Sequence, residues 1–178
     1  VITSACLNVG HAATIIHAGT LISAESDDVR NEVSVIIEGN KISRIEKGFV
    51  AASSDDEVID LSEYTLMPGL MDMHTHISNQ HSGPSSYLEG FVLNEADYAI
   101  KGVVYAEKTL NAGFTTVRNL GDGYNETVAL RNAINRGQIP GPRLFTAAKS
   151  IATTGGHADP TNSHAKIIHR DPGPLRGV

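Results

Sequence analysis

From Pro68-Gly69 onward the chain alternates short apolar runs with helix-spaced stretches, and this alternation restricts the fold more than any other feature. Leu70 to Ile77 reads as a strand, followed by a polar loop from Ser78 to Ser86. Asn94 then offers a helix cap, with Asp97 at the capping-box position. Ala96, Ile100, Val103, Val104 and Leu110 recur at helical spacing and predict one apolar face, which Gly113 ends. Phe114 to Arg118 is rich in β-branched residues, as strands are. A second helix is predicted from about Glu126 to Arg136, capped by Asn125 and stopped by Gly137, and Arg143 to Ala148 reads as a third strand. A β-α-β-α-β order calls for parallel strands joined by right-handed crossovers. Three such strands cannot close a barrel and leave unpaired edges, so the chain is expected to be the N-terminal part of a longer protein.

The segment before Pro68 has a different texture. Thr14 to Gly19 and Val33 to Glu38 read as strands, and Gly39-Asn40 as a hairpin turn of the primed types. Lys41 to Ile45 returns as the partner strand, and the odd step from Ile42 to Ile45 allows a bulge. Val58 to Leu61 and Tyr64 to Met67 complete what is expected to be a small antiparallel β unit. Residues 1–13 are small and weakly apolar. They read either as the tail of a signal peptide or as an N-terminal extension. The first reading implies a periplasmic or secreted protein, the second a cytoplasmic one.

Composition narrows the function classes. The 178 residues can bury a core, and 40% hydrophobic with 19% charged residues is a globular balance. A formal charge of −6 without any Lys/Arg cluster argues against nucleic acid as a partner. The single cysteine, Cys6, excludes a disulfide framework and a cysteine-based zinc site. No apolar run approaches the ~20 residues that span a bilayer.

Eight histidines are many for this length, and two of them are spaced for chemistry. His74 and His76 end the apolar strand after Pro68-Gly69. Side chains two apart on a strand share a face, which brings the imidazoles about 6–7 Å apart. That spacing suits one divalent ion held by neutral ring nitrogens. A lone His-x-His is a weak signal, but the C-terminal end of a buried strand is where barrel enzymes build their sites. Asp72 lies on the same face one pleat deeper and is expected to orient a ligand instead of binding metal itself. Arg118, at the end of the next strand, reads either as a binder of a substrate carboxylate or as part of a structural ion pair. Asp122 and Asp159 read either as loop caps or as orienters of histidines, with loop capping the favoured reading. Gly155-Gly156 lacks the pattern of a phosphate loop. His11, His17, His81, His164 and His169 have no ligand spacing and read as surface or packing residues.

Three blocks, in order, carry a resemblance: Leu66-Met67-Pro68-Gly69-Leu70-Met71-Asp72-Met73-His74-Thr75-His76, then Ala112-Gly113-Phe114-Thr115-Thr116-Val117-Arg118, then Thr154-Gly155-Gly156-His157-Ala158-Asp159-Pro160-Thr161-Asn162. Together they resemble the metal-dependent amidohydrolase superfamily, in particular its Xaa-Pro dipeptidase (prolidase-like) and imidazolonepropionase-related branch. The resemblance implies an α/β fold, a (β/α)8 barrel with a small β-sandwich built from both chain ends. Residues 14–67 would then be the sandwich portion and residues 68–178 the first three β/α units. His74 and His76 match the family's metal ligands, and His157 matches a histidine at the end of the third strand that contacts substrate or lines the metal pocket. One or two zinc ions would activate water for attack on an amide of a dipeptide or N-acyl amino acid. The family's other ligands and its catalytic aspartate belong to later strands, beyond Val178. Neither Lys149 nor Lys166 fits the bridging lysine. The chain alone is therefore expected to bind metal weakly and turn over nothing. Alternatives are a cyclic-amide (imidazolone-type) hydrolase and a non-catalytic binding module of the same fold. A homo-oligomer is compatible with all of these.

Overall fold

The computed structural model describes residues 12–24, 27–80 and 84–159. The chain divides into two compact units between Pro68 and Gly69. Cys6, His11, His81, His164, Lys166, His169 and nearly all of the 1–13 extension lie outside the described residues.

The first unit is a four-stranded sheet of β1 (Ala13–Ile22), β2 (Val29–Glu38), β3 (Lys41–Lys47) and β4 (Glu57–Leu66), in the order β3-β2-β1-β4. Gly39 has φ 63°, as a primed hairpin turn requires, and leads β2 into antiparallel β3. The register slips between Ile36 and Ile37, which pair with Arg44 and Ile42, so Ser43 is the bulged residue. β1 is antiparallel to β2 but parallel to β4. The sheet is therefore mixed, which corrects the expected antiparallel unit. β1 also runs through Gly19 to Ile22, and the two strands expected between Val58 and Met67 are one. At Gly19 the β1–β4 register shifts, and a Cβ there would collide with the Ser62 carbonyl. A glycine that reads as a turn is thus a point of close backbone approach inside a strand.

Ala18, Leu21, Val33 and Val35 form the core of this unit, with Ile16, Ile37, Ile45 and Leu66 packed on it. Ser34, fully buried, donates to the Gly48 carbonyl (2.8 Å) and accepts from the Val50 N–H (3.0 Å). His17 meets the Val50 carbonyl at 3.0 Å and stacks on Phe49, so it serves packing as expected. Asp56 accepts from the Ala13 N–H (2.9 Å) and the Ser53 N–H (2.8 Å).

The second unit holds a three-stranded parallel sheet in the order β5-β6-β7, made of β5 (Leu70–Thr75), β6 (Phe114–Asn119) and β7 (Arg143–Thr146). The helices are α1 (Pro84–Val92), α2 (Glu95–Asn111) and α3 (Glu126–Asn135). Ile77, Ala106, Val117, Leu130 and Leu144 pack together between helices and sheet. Thr116, Arg118 and Phe145 alternate with the buried strand residues, and Phe145 is 54% exposed.

The capping box of α2 forms as predicted: Asn94 accepts from Ala96 and Asp97, and Asp97 accepts from the Asn94 N–H. The buried face of α2 matches the predicted stripe only in part: Val103 packs against the core. Ile100 and Val104 are exposed, whereas Gly102 and Ala106 are buried. These two small residues lie one turn apart and let the helices approach closely. A Cβ on Gly102 would sit 3.3 Å from Leu130 Cδ2. α1 replaces part of the expected polar loop. Its Leu88, Phe91 and Val92 are exposed, so no burial pattern announces it. β5 stops at Thr75 and β7 at Thr146, each short of its predicted end. Among the described residues no helix is long and apolar enough to cross a membrane.

Two stability measurements follow from this geometry. Asn94→Ala should lower stability by about 1 kcal/mol, seen as a lower urea midpoint at unchanged slope. The hydrogen bonds from Ala13, then from Ser53, hold the Asp56 carboxyl below its ordinary value. A depressed folded-state pKa stabilises above the unfolded carboxylate value of about 3.9 and loses that effect as pH falls through the folded value. Asp56→Asn should therefore lower the urea midpoint at neutral pH, and the gap to the parent should close in acid.

Candidate metal centre

At its C-terminal end β5 leaves the ladder. Asp72 pairs with Val117 and Thr75 with Asn119, so β5 spends one residue more than β6 over this interval. The result is a bulge at Met73 and His74. It interrupts the simple alternation by which Asp72 was expected to share a face with the histidines. Side chains take over the unpaired backbone groups. Asp72 Oδ1 accepts the His74 N–H (2.9 Å) and Arg118 Nε donates to the Met73 carbonyl (2.8 Å). Beyond the bulge, Leu120 N–H reaches the Thr75 carbonyl (3.0 Å), and Asn119 Oδ1 accepts the Ile77 N–H (2.7 Å).

The His74 and His76 rings come together with centroids 5.7 Å apart and planes at 63°. Both side chains are exposed. His76 Nδ1 lies 3.1 Å from the Gly121 carbonyl oxygen. A carbonyl can only accept, so in the neutral ring the proton sits on Nδ1 and the lone pair on Nε2. Asn119 Nδ2 donates to the same carbonyl, also at 3.1 Å. Gly121 is in turn pressed by Ser150: a Cβ there would overlap Ser150 Oγ and come within 3.1 Å of its Cβ. Ser150 Oγ donates to the Leu120 carbonyl at 3.1 Å.

The loops after β5, β6 and β7 are tied by a polar network just outside this pair. Ser78 Oγ donates to Glu126 Oε1 (2.8 Å), and Glu126 Oε2 accepts the Tyr124 N–H (2.9 Å). Glu126 is buried in the first turn of α3, where the helix end favours a carboxylate. Asp122 accepts from Asn125 N–H (2.8 Å), Thr127 N–H (3.1 Å) and Thr127 Oγ1. Thr127 Oγ1 also meets Thr146 Oγ1 at 2.6 Å. Asn125, the expected cap of α3, is left-handed at φ 63° and makes no side-chain cap bond. Asp122 performs that capping instead, in line with its reading as a loop cap.

The other predicted site residues are placed as follows. Asp72 serves the His74 backbone. Arg118 is exposed and spends Nε on the Met73 carbonyl, an outcome different from the ion pair considered above. His157 is exposed in the turns beyond β7, well past the strand end at Thr146, in a loop fastened by buried Asp159 accepting the Gly155 N–H at 2.7 Å. Lys149 does not end the third strand but forms an isolated backbone β-bridge with Asp122 beyond it. Among the described residues no group of three or more metal-binding side chains converges. Two neighbouring imidazoles are a donor set that suits a divalent transition-metal ion and supply two ligands toward one. Asn119, Gly121 and the Ser78–Glu126 pair escape sequence reading. The one available signal was a polar Asn119 at the inward position following Val117.

Residues 65–175 match the profile of the amidohydrolase family. The chain is 30% identical over 153 residues to ochratoxinase of Aspergillus niger, covering 82% of this chain and 30% of that protein. It is similar to a crystal structure of a Xaa-Pro dipeptidase with methionine bound in the active site, with a TM-score of 0.82 and 42% identity over 94% of this chain and 41% of that one. A crystal structure of an amidohydrolase matches with a TM-score of 0.73 and 28% identity over 93% of this chain and 38% of that one. The chain thus spans well under half the length of these relatives.

Crowding at Gly121 yields a direct check. Gly121→Ala should cost about 1–3 kcal/mol as an overpacked contact, and adding Ser150→Ala should recover part of it in a double-mutant cycle read by denaturant unfolding.

Proposed function

The chain belongs to the amidohydrolase family, and from that premise we propose that it forms part of a metal-dependent hydrolase cleaving an amide C–N bond in a dipeptide or N-acyl amino acid. The observation that carries this reading is the His74–His76 ring pair at the end of β5, with the His76 Nδ1 proton committed to the Gly121 carbonyl. The 42% identity to a Xaa-Pro dipeptidase supports a dipeptide-like substrate. The architecture proposed with it is a (β/α)8 barrel in which β5, β6 and β7 are the first three strands. The half-buried Thr116 and the exposed Arg118 and Phe145 would then face the barrel interior. The mainly apolar groove of the first unit, lined by Ile16, Leu21, Val35, Ile37, Ile45 and Leu66 among others, is the kind of face a β-sandwich covers.

His74 and His76 are the residues that would hold a divalent ion, zinc by donor chemistry. Bound there, such an ion lowers the pKa of a water and polarises the scissile carbonyl. The remaining roles fall to this chain's own groups. Asp72 fixes the backbone at His74, and the Gly121 carbonyl keeps the proton off His76 Nε2. Arg118 is held by its Nε, so its terminal nitrogens are the donors proposed for a substrate carboxylate. His157 is proposed to reach the substrate from the loop beyond β7.

Metal content and turnover of Xaa-Pro dipeptides and N-acyl amino acids by the intact protein test the proposal. The expected result is near-stoichiometric divalent metal, with activity lost to a chelator and restored by zinc. His74→Ala and His76→Ala should each weaken zinc binding by at least about 100-fold. Parent-level metal in both variants, or hydrolysis that survives complete metal removal, would overturn it.

A further inference from the structure

We infer that Asn119 is a positioning residue of this centre: its side-chain amide fixes the carbonyl that selects the His76 tautomer, and so determines which ring nitrogen faces the ion. The inference rests on the reading of His76 as a metal ligand and concerns a residue that touches neither metal nor substrate.

Asn119 is the last residue of β6 and is fully buried, two residues after Val117 of the apolar core. An apolar side chain would fill such a place without the desolvation cost of an amide. The amide is used at both ends. Oδ1 accepts the Ile77 N–H at 2.7 Å, and Nδ2 donates to the Gly121 carbonyl at 3.1 Å. These two partners bracket His76. Ile77 is the next residue along the chain, and the Gly121 carbonyl is the acceptor 3.1 Å from His76 Nδ1. One planar group therefore holds the backbone that carries the ring and the oxygen that takes its proton in a fixed relation.

The chemical consequence follows from the imidazole itself. A free neutral imidazole side chain prefers its proton on Nε2, which would block that nitrogen as a ligand. The protein has to reverse this preference, and the means visible here is the Gly121 carbonyl. A peptide carbonyl can pivot about its flanking dihedrals, so its direction has to be held. Ser150 presses on the α-carbon side of Gly121, and the Asn119 amide grips the oxygen. Aspartate at this position would keep the acceptor for Ile77 but lose the donor, and would place a second oxygen against the carbonyl. Leucine would keep the volume and lose both functions.

The test uses metal-free intact protein at a pH where imidazole is neutral. Long-range 1H–15N NMR correlations of the His76 ring report which nitrogen is protonated. Zinc affinity is measured alongside by competition with a chromophoric chelator. The parent should show the proton on Nδ1. Asn119→Asp and Asn119→Leu should shift His76 toward the Nε2-protonated form and weaken zinc binding by about 10- to 100-fold. Leu130→Ala, a core truncation outside the network, should leave the tautomer unchanged. An Nε2 proton in the parent overturns the inference even if no Asn119 variant folds. So does a folded Asn119 variant with the parent's tautomer and zinc affinity. If instead His76→Ala leaves zinc affinity at the parent level, the metal reading fails while the tautomer result for Asn119 stands on its own.

Discussion

A strand that stops pairing must still satisfy its backbone, and the second unit is arranged around that requirement at the end of β5. At the exposed Met73 and His74 water is an alternative partner, but at the buried Ile77 N–H an orphan would cost about as much as a lost hydrogen bond. Once the bulge at Met73 and His74 takes β5 out of register, the neighbouring strand can no longer supply partners for each group. Asp72, Arg118 and Asn119 supply them instead, each by a different chemistry: a carboxylate for a donor, a guanidinium for an acceptor, an amide for one of each. Asp72 ties the backbone of His74, and Asn119 grips the Gly121 carbonyl that meets the His76 ring. The disturbance in the sheet and the candidate centre are therefore one feature, since a regular ladder would need none of these side chains.

Much of the local structure is legible in the sequence because its causes are local. Asn94 with Asp97, Gly39-Asn40, and the glycines at 113 and 137 act on neighbouring backbone, and each appears in the structure where its chemistry places it. The parallel order of β5, β6 and β7 is legible too, from strand and helix periods alone. What escapes depends on distant partners. The parallel seam between β1 and β4 joins segments on either side of a complete hairpin, and either pairing direction satisfies the same apolar pattern. The stripe on α2 misleads in part because the buried residues are Gly102 and Ala106, chosen for small size where a hydrophobic count looks for Ile100 and Val104.

The candidate site divides along the same line. The nearness of the His74 and His76 rings is anticipated by their spacing, since two residues so close in sequence stay neighbours even where β5 bulges and ends. Asn119 and Gly121 are not found, because their partners lie across strands and in a loop. Asn125 shows the limit of a good local rule: the residue type is right for a cap, yet a left-handed backbone takes it out of reach, and Asp122 three residues earlier accepts the donors instead.

The seam between β1 and β4 also bears on how the first unit is made. β2 meets β1 and then β3 through adjacent segments, contacts that form early because little chain must be ordered to close them. β4 closes onto β1 over a longer stretch of chain, at a larger loop-closure cost. During synthesis one edge of β1, including Gly19, would wait uncovered for a strand still emerging from the ribosome. A glycine tolerates that interval well: it offers no apolar side chain to a competing strand, and it leaves the space into which the Ser62 carbonyl finally fits.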